Sequence, residues 1–301
     1  MLLPEGVTKY KPVRMEFVNL EKFLDSLSQD LFTGYCEFKT EEKSIVLLFE
    51  EGEIQRTFCL EKMMTTLFSL GEALEEFKSP SGEMRGVVLP SEIVDTMVRL
   101  LFCVPLHQNL SSAFTDFRTL LKTLGNEEFT GFVEIGMEKN VHYLSLKNGG
   151  PRSALYYSGE RLFRGAEALE KIFHDEEEER AFINIYPFRE VPLKNVFTQL
   201  SRDLLNVYQD LKGPTLTQQF WKKLSSYAEK IDGVRVGNLE FSLDDLPGDL
   251  RKQEKILISL LRYHIEILGS ELGEDTVQSL YMRLLEGVES PVKEVFGGVL
   301  P

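Results

Sequence analysis

Apolar residues change from helical to strand spacing in the first part of the chain. Residues 17–27 carry apolar side chains three and four positions apart, which predicts a one-faced helix. Residues 32–38 and 45–49 are rich in aromatic and β-branched side chains, which predicts two strands of an antiparallel hairpin. A turn at Gly52 leads to a third strand, a helix and a closing strand that ends at Leu89. The segment is therefore predicted to be a small α+β module whose sheet has helices on one face.

The same pattern then occurs a second time. The sequence LFTGYCEF around Gly34 recurs as EFTGFVEI around Gly131, at an offset of 97 residues. This offset also relates the turn glycines of the two segments, and it places Pro90 opposite Pro187 with no gap in between. Agreement of apolar spacing, glycines and closing prolines in one register predicts two tandem copies of one module.

Seven residues form the turns and the Thr-Gly motifs of the two copies, and we interpret them as structural. A two-residue hairpin turn needs positive φ, which Asn-Gly adopts at the least cost. The seven are Thr33, Gly34, Gly52, Thr130, Gly131, Asn148 and Gly149. Two acids, Glu37 and Glu134, share one strand position in the two copies. Because their neighbours on either side are apolar, alternation predicts that both acids point to solvent.

The pattern after Pro187 is mostly helical. Residues 217–243 faintly repeat the order of a helix followed by glycine, which leaves open a degenerate third copy. The longest periodic stretch, 250–268, is one helix with one apolar face. That face either binds a partner or a second copy of the chain, or is buried in its own domain. Its residues are Ile256, Leu257, Leu260, Leu261, Ile265 and Leu268.

These patterns predict an α+β protein with two duplicated small antiparallel-sheet modules, covering helices and a mainly helical C-terminal region. The first module is assigned to residues 1–90 and the second to residues 112–187. Residues 91–111 are predicted to be a helical connector, because apolar side chains repeat there at helical spacing. The mainly helical region covers residues 188–301.

The charge balance narrows the classes of partner. Lys and Arg number 34 against 48 Asp and Glu, a net charge of −14, which repels phosphate backbones and anionic membranes. We therefore expect neither nucleic acid nor a membrane as a partner. Three cysteines at scattered positions suit a reducing compartment better than disulfides. Since no signal peptide and no apolar run of about 18 residues is present, we predict a cytoplasmic location.

The sequence contains none of the common constellations of catalysis. It has no glycine-lysine phosphate loop, no dinucleotide fingerprint and no Gly-x-Ser-x-Gly turn. Its four histidines are dispersed, and none has the spacing that places two metal ligands on one helix face. The three cysteines lie in apolar surroundings, which do not favour a reactive thiolate. We expect a protein that is not an enzyme and that holds no cofactor and no metal.

The order of elements in each copy resembles the PATAN domain, named after the N-terminal part of the PatA proteins. In that family the strand after the turn commonly reads Gly-x-Ile/Val-x-x-Ala. The first copy keeps Gly52 and Ile54 but has Thr57 in place of alanine; the second keeps Ala154 but has Pro151 in place of the aliphatic residue. The other residues that carry the resemblance are Phe32, Thr33, Gly34, Leu47, Leu48, Phe49, Phe129, Thr130, Gly131, Leu144, Leu146 and Gly149.

The resemblance implies a non-catalytic module of prokaryotic regulatory proteins that acts through protein contacts. Such modules are often attached to receiver domains, and no receiver domain is visible in this sequence. Our main hypothesis is a regulatory or scaffold protein, acting through protein–protein contacts and linked to prokaryotic signalling. One alternative is a small-ligand sensor or enzyme with a site between the two copies, since ligand sites favour domain interfaces. Another is a homo-oligomeric structural protein, such as a homodimer, that associates through the apolar face of helix 250–268.

Overall fold

The chain divides into two compact parts, Met1–Glu190 and Val191–Pro301, which we call the two-sheet domain and the helical domain. The predicted α+β class, with duplicated antiparallel sheets and a helical C-terminal region, is confirmed. The structure is a computed structural model, and it describes residues 1–61, 64–77, 82–137, 140–178, 180–188, 192–237, 239–247, 250–288, 290–297 and 299.

The first copy is a six-stranded antiparallel sheet with two helices on one face. Its strands are β1 (Val7–Arg14), β2 (Gly34–Lys39), β3 (Lys43–Glu50), β4 (Glu53–Glu61), β5 (Met64–Phe68) and β6 (Glu83–Val88), in the order β1-β6-β2-β3-β4-β5. The helices are α1 (Leu20–Gln29) and α2 (Leu70–Glu76). Asn19 caps α1, because its side chain accepts a hydrogen bond from the N–H of Lys22. Apolar side chains of these helices and of one sheet face form a single core.

The second copy repeats this arrangement after helix α3 (Ser91–Leu100). Its strands and helices are β7 (His107–Ser111), α4 (Phe117–Asn126), β8 (Gly131–Gly136), β9 (Val141–Lys147), β10 (Gly150–Tyr157), β11 (Leu162–Arg164), α5 (Gly165–Glu178) and β12 (Phe182–Pro187). The strand order is β11-β10-β9-β8-β12-β7, which is the order of the first sheet. Asp116 caps α4 as Asn19 caps α1. A second apolar core lies between the helices and the sheet.

The prediction of a wholly helical connector over 91–111 is wrong. Only Ser91–Leu100 is helical, and His107–Ser111 forms β7, the edge strand that pairs with β12. β1 has the same place in the first sheet, where it pairs with β6. β1 is mostly exposed and contains two lysines and a proline, and β7 has no buried residue, so neither strand has the alternation of a half-buried strand.

The gap-free alignment of the two copies is also wrong in its last part. Gly34 pairs with Val88, whereas Gly131 pairs with Pro187, so the closing strands correspond at an offset of 99 and not 97. Pro90 and Pro187 are therefore not equivalent. The helix before the closing strand has 7 residues in the first copy and 14 in the second. The change of offset from 97 to 99 therefore occurs in this part of the module.

The helical domain is built around one long helix. Its elements are α6 (Leu193–Lys212), α7 (Pro214–Ala228), β13 (Arg235–Val236), β14 (Phe241–Ser242), α8 (Leu250–Leu272), α9 (Glu274–Glu286) and α10 (Ser290–Gly297). α8 packs against α6, α7 and α9. Across the ranges described above, no helix combines the length and the hydrophobicity that crossing a membrane requires.

Residues 217–243 are not a third copy of the module. They contain most of α7 and a hairpin with two residues in each strand, β13 and β14. A third copy would need a multi-stranded sheet at this place. The helix-then-glycine order found in the sequence is therefore a chance likeness.

The apolar face of α8 is not a free surface for a partner. Leu257, Leu260, Leu261 and Leu268 are each no more than 1% exposed. Helices of the same domain cover them, so these side chains form its core. Ile256 and Ile265 are half-buried at the side of this face. The interpretation of these six residues as a partner-binding face is therefore corrected. The homo-oligomer hypothesis depended on this face as its contact surface and loses that support.

Candidate functional site: the buried polar cluster of the two-sheet domain

In each copy a threonine hydroxyl at the start of the sheet is hydrogen-bonded to the backbone of the hairpin turn. The hydroxyl oxygen of Thr33 accepts a hydrogen bond of 2.9 Å from the N–H of Glu51. The hydroxyl oxygen of Thr130 accepts one of 2.9 Å from the N–H of Asn148. Both threonines therefore hold backbone rather than a ligand.

The turn glycines are required by both conformation and space. Gly52 and Gly149 have φ values of +81° and +77°. A Cβ atom on Gly52 would lie 2.5 Å from the carbonyl oxygen of Ser28, and one on Gly149 would lie 2.4 Å from that of Gly125. These carbonyls belong to the last turns of α1 and α4. A side chain would therefore push the turn away from the preceding helix.

The glycines of the two Thr-Gly motifs lie where strands approach closely. A Cβ atom on Gly34 would lie 2.0 Å from the carbonyl oxygen of Val87. One on Gly131 would lie 2.2 Å from that of Tyr186. The seven motif residues are thus placed at turns and strand starts, and none of them presents a reactive group.

Glu37 and Glu134 are buried, so the prediction that they face solvent is wrong. Glu37 is 4% exposed and Glu134 is 0% exposed. The reason is that the second face of each sheet is covered as well as the helix-facing one. In the first copy, Val46 and Leu48 on that face are fully buried, and α3 packs against their strand. Burying a carboxylate is costly unless hydrogen bonds compensate it, so the surroundings of both acids matter.

In the first copy the compensation is an ion pair. The guanidinium Nε of Arg85 donates a hydrogen bond of 2.6 Å to Oε2 of Glu37. The two residues are directly opposite each other on β6 and β2. The Arg85 side chain is 34% exposed, so its charge stays partly in water while it neutralises the buried acid. A second Arg85 nitrogen lies 3.4 Å from the hydroxyl of Tyr35.

In the second copy the compensation comes from neutral donors. Oε2 of Glu134 accepts hydrogen bonds from the side-chain amide of Asn184 at 2.7 Å and from the hydroxyl of Tyr186 at 3.0 Å. Oε1 accepts one of 2.9 Å from the backbone N–H of Leu2. Asn184 is directly opposite Glu134, at the place that Arg85 has in the first copy. The Asn184 amide oxygen also accepts the N–H of Asn109 on β7 at 2.7 Å, which fixes its orientation.

These groups form one cluster between the two sheets. The Tyr143 phenol interacts electrostatically with Glu134, Tyr186 and, across the domain, Tyr35. Burial raises the pKa of Tyr143 well above its ordinary value, so the phenol is neutral. Its hydroxyl is buried and has no hydrogen-bonding partner in the part of the chain that the structure describes. We call the set the buried polar cluster; its members are Tyr35, Glu37, Arg85, Glu134, Tyr143, Asn184 and Tyr186.

Two other buried polar groups, both histidines, lie outside this cluster. Nδ1 of His142 accepts the N–H of Tyr157 at 3.2 Å, and its ring stacks on Tyr156 with centroids 4.2 Å apart. Burial lowers the pKa of His142 to about 4, against a smaller opposing effect of Asp175. In the helical domain, burial lowers the pKa of His264 to about 3. Both imidazoles are therefore neutral at pH 7.

Neither the thiols nor any metal-ligand group adds reactive chemistry. None of the three cysteines is in a disulfide, and burial raises the pKa of Cys36 and of Cys59. Thiols in that state are poor nucleophiles. Within the described ranges, no three His, Cys, Asp or Glu side chains are grouped so that they could hold a metal ion. His264 lies 3.2 Å from the hydroxyl of Ser201, and both side chains are buried in the core of the helical domain.

The helical domain has a separate pocket of about 560 Å³. Part of its wall comes from α8, including Ile265 of the predicted partner face. The remaining lining residues are Arg262, Glu266, Gly269, Glu274, Val277, Gln278 and Val299. The pocket has the size and the mixed polarity of a small-molecule site, and its described lining residues include no nucleophile paired with a base.

Sequence reasoning missed the cluster, although one signal for it was present. The stretch Ile45–Phe49 is apolar without interruption, and such runs are typical of strands that are buried on both faces. That signal would have predicted burial of Glu37, whereas the matching strand of the second copy contains His142 and Ser145 and gives no such signal for Glu134. The partners Arg85 and Asn184 lie in closing strands that are distant along the sequence, and only the strand register identifies them.

Comparison with known proteins finds a partial similarity to a protein family. Residues 105–199 match a family described as an uncharacterised protein conserved in archaea (DUF2226). The matched segment runs from just before β7 into α6 and so includes the whole second copy. No curated protein and no solved structure matches the chain. The archaeal match supports a prokaryotic source for this chain.

Proposed function

We propose that this protein is a non-catalytic regulatory or scaffold protein that acts through contacts with other proteins. The observation that carries the proposal is what the two copies have in common. Their shared threonines and glycines hold turns, and their shared acids are buried and hydrogen-bonded. The residues that the two copies share therefore maintain the fold of each copy and do not form a pair of reactive sites. The resemblance to PATAN modules, the cysteines without disulfides and the acidic charge favour a regulatory protein of the prokaryotic cytoplasm, possessing neither cofactor nor metal.

The test combines affinity capture with a search for turnover. The tagged full chain is incubated with a native lysate of the source cells, and retained proteins and metabolites are both identified by mass spectrometry. We expect one protein retained in a fixed ratio and no metabolite consumed over time. Glu134→Gln is the matched control, because it changes the most deeply buried acid without changing its volume. A metabolite consumed by the original chain and not by this variant would overturn the proposal.

A small-ligand sensor is the second candidate, and one observation favours it. The Tyr143 hydroxyl is buried beside Glu134 and has no partner in the described chain. Buried polar groups are nearly always hydrogen-bonded, so a bound molecule could supply the missing contact. Metabolites retained by the original chain and lost in Tyr143→Phe would place the sensor ahead of the scaffold.

A further inference from the structure

The first six residues contact both copies although they form no regular structure. They precede β1 and are neither helix nor strand. The N–H of Leu2 donates to Glu134 of the second copy, and the carbonyl of Pro4 accepts from the hydroxyl of Tyr35 of the first copy at 3.1 Å. Where the segment ends, the backbone of Val7 hydrogen-bonds the hydroxyl of Tyr157. Segment 1–6 is thus held by side chains of both sheets.

The residues that surround segment 1–6 fit it closely. A Cβ atom on Gly136 would lie 2.2 Å from Cδ1 of Leu2, so the glycine provides the room for this leucine. Pro4 is buried. Glu5 is exposed and interacts electrostatically with Arg85. The site therefore accommodates an apolar side chain at Leu2, a proline two positions later and an acid at Glu5, which lies near the cation of Arg85.

The hydrogen bonds described above all involve the backbone of the segment, and the electrostatic interaction of Glu5 with Arg85 is the side-chain contribution. Recognition of an extended backbone by fixed side chains is a common way of binding peptides, with side-chain pockets adding selectivity. Such a site can accept another chain that presents the same N–H and carbonyl groups. Without a strand ladder, segment 1–6 depends on few contacts and opens at a lower free energy than the sheets.

From these observations we infer that the space around the buried polar cluster is a peptide-binding site, and that residues 1–6 are its intramolecular occupant. The ligand is an extended segment of a partner protein with the pattern apolar, any residue, proline, acid. It replaces residues 1–6, donates an N–H to Glu134 and accepts from Tyr35. This rests on the proposed function and gives it a partner of defined chemistry.

The inference is tested with the full chain and a synthetic peptide. The chain carries Leu2→Gly, Leu3→Ser, Pro4→Gly and Glu5→Ser, which weakens the occupant by removing its side-chain contacts and keeps the length of the chain. The probe is an acetylated peptide with the sequence of residues 1–6 and a fluorophore at its C-terminal end. We expect binding of one peptide per chain, measured by fluorescence anisotropy. A probe methylated on the Leu2 nitrogen should bind about 10- to 100-fold more weakly, because it cannot donate to the carboxylate.

A second measurement covers the case in which the quadruple variant does not fold. Hydrogen exchange of residues 2–6 is followed in the unsubstituted chain, with and without an excess of the unlabelled peptide. Displacement should raise their exchange about tenfold or more and leave β2 and β8 protected. Unchanged exchange, or equal binding of the methylated and unmethylated probes, would overturn the inference.

Light scattering separates a partner segment from a second copy of this chain. Exchange of segments between two copies would give dimers at high concentration and would count against the inference. If the peptide fails but affinity capture retains a protein, the proposed function stands without this site. If the peptide binds but no protein is captured, the site stands and the proposed function fails.

Discussion

The two copies bury the same acid and compensate it in different ways. Glu37 is paired with Arg85, whose guanidinium reaches solvent, whereas Glu134 is bound by an amide, a phenol and the N–H of Leu2. The first arrangement is complete within its own sheet. The second is completed by segment 1–6, which lies outside the second copy. The first copy thus has a self-contained ion pair, whereas the buried acid of the second copy depends on a backbone N–H from outside that copy.

The largest effect is expected at a turn that both copies share. Gly149→Val places a β-branched side chain at positive φ and against the carbonyl of Gly125, which should cost about 3 to 5 kcal/mol of unfolding free energy. Chemical denaturation followed by circular dichroism measures this loss. Gly165→Val is the control, since Gly165 has φ +63° but nothing within 4 Å of its Cβ position. Equal losses in the two variants would show that contact with α4 has no part in the effect.

The comparison of the two acids is tested next. Glu134→Gln replaces one accepting oxygen by an N–H₂ group, which then faces either the N–H of Leu2 or the donors Asn184 and Tyr186. We expect a loss of about 2 to 3 kcal/mol of unfolding free energy. Glu37→Gln should cost about 1 kcal/mol, because the partly exposed Arg85 can turn to water. Both losses are read from urea denaturation. An equal or larger loss for Glu37→Gln would contradict the distinction drawn between the copies.

Acid should destabilise the two-sheet domain through a residue that only the second copy has. His142 corresponds to Ile45 of the first copy, and burial lowers its pKa to about 4. Between pH 6.5 and about 4 the unfolded chain binds a proton that the folded chain does not, so stability falls as the pH falls. The loss is about 1.4 kcal/mol per pH unit from this group. His142→Ile should make the profile of unfolding free energy flatter over this range, and an unchanged slope would show that other groups cause it.

The smallest effect is expected at two matched aromatic residues. The sequence pattern includes Phe17 and Phe114 in the apolar stripes of the first helices, but they are 76% and 93% exposed and precede α1 and α4. Phe17→Ser and Phe114→Ser should each change the unfolding free energy by less than about 0.5 kcal/mol. Thermal unfolding checks both. A loss of several degrees in the melting temperature would mean that the rings are packed and not exposed.

The repeated architecture could be predicted from the sequence because its signals are local. Helical spacing, strand composition and the Asn148-Gly149 turn each depend on residues close together in the chain. The partners of Glu134 could not be predicted, because they come from a closing strand and from residue 2, far away in sequence. The edge strands β1 and β7 were missed for a related reason. Their pairing comes from a neighbouring strand, no side chain of either strand is buried, and neither strand has an alternating apolar pattern.

The central claim is that Glu134, and not Glu37, holds residues 1–6 in place. Hydrogen exchange of residues 2–6, compared between Glu134→Gln and Glu37→Gln, tests it most directly. We predict exchange at least about tenfold faster in Glu134→Gln, with no change in Glu37→Gln and with β2 and β8 still protected in both variants. Equal exchange of this segment in the two variants would contradict the account.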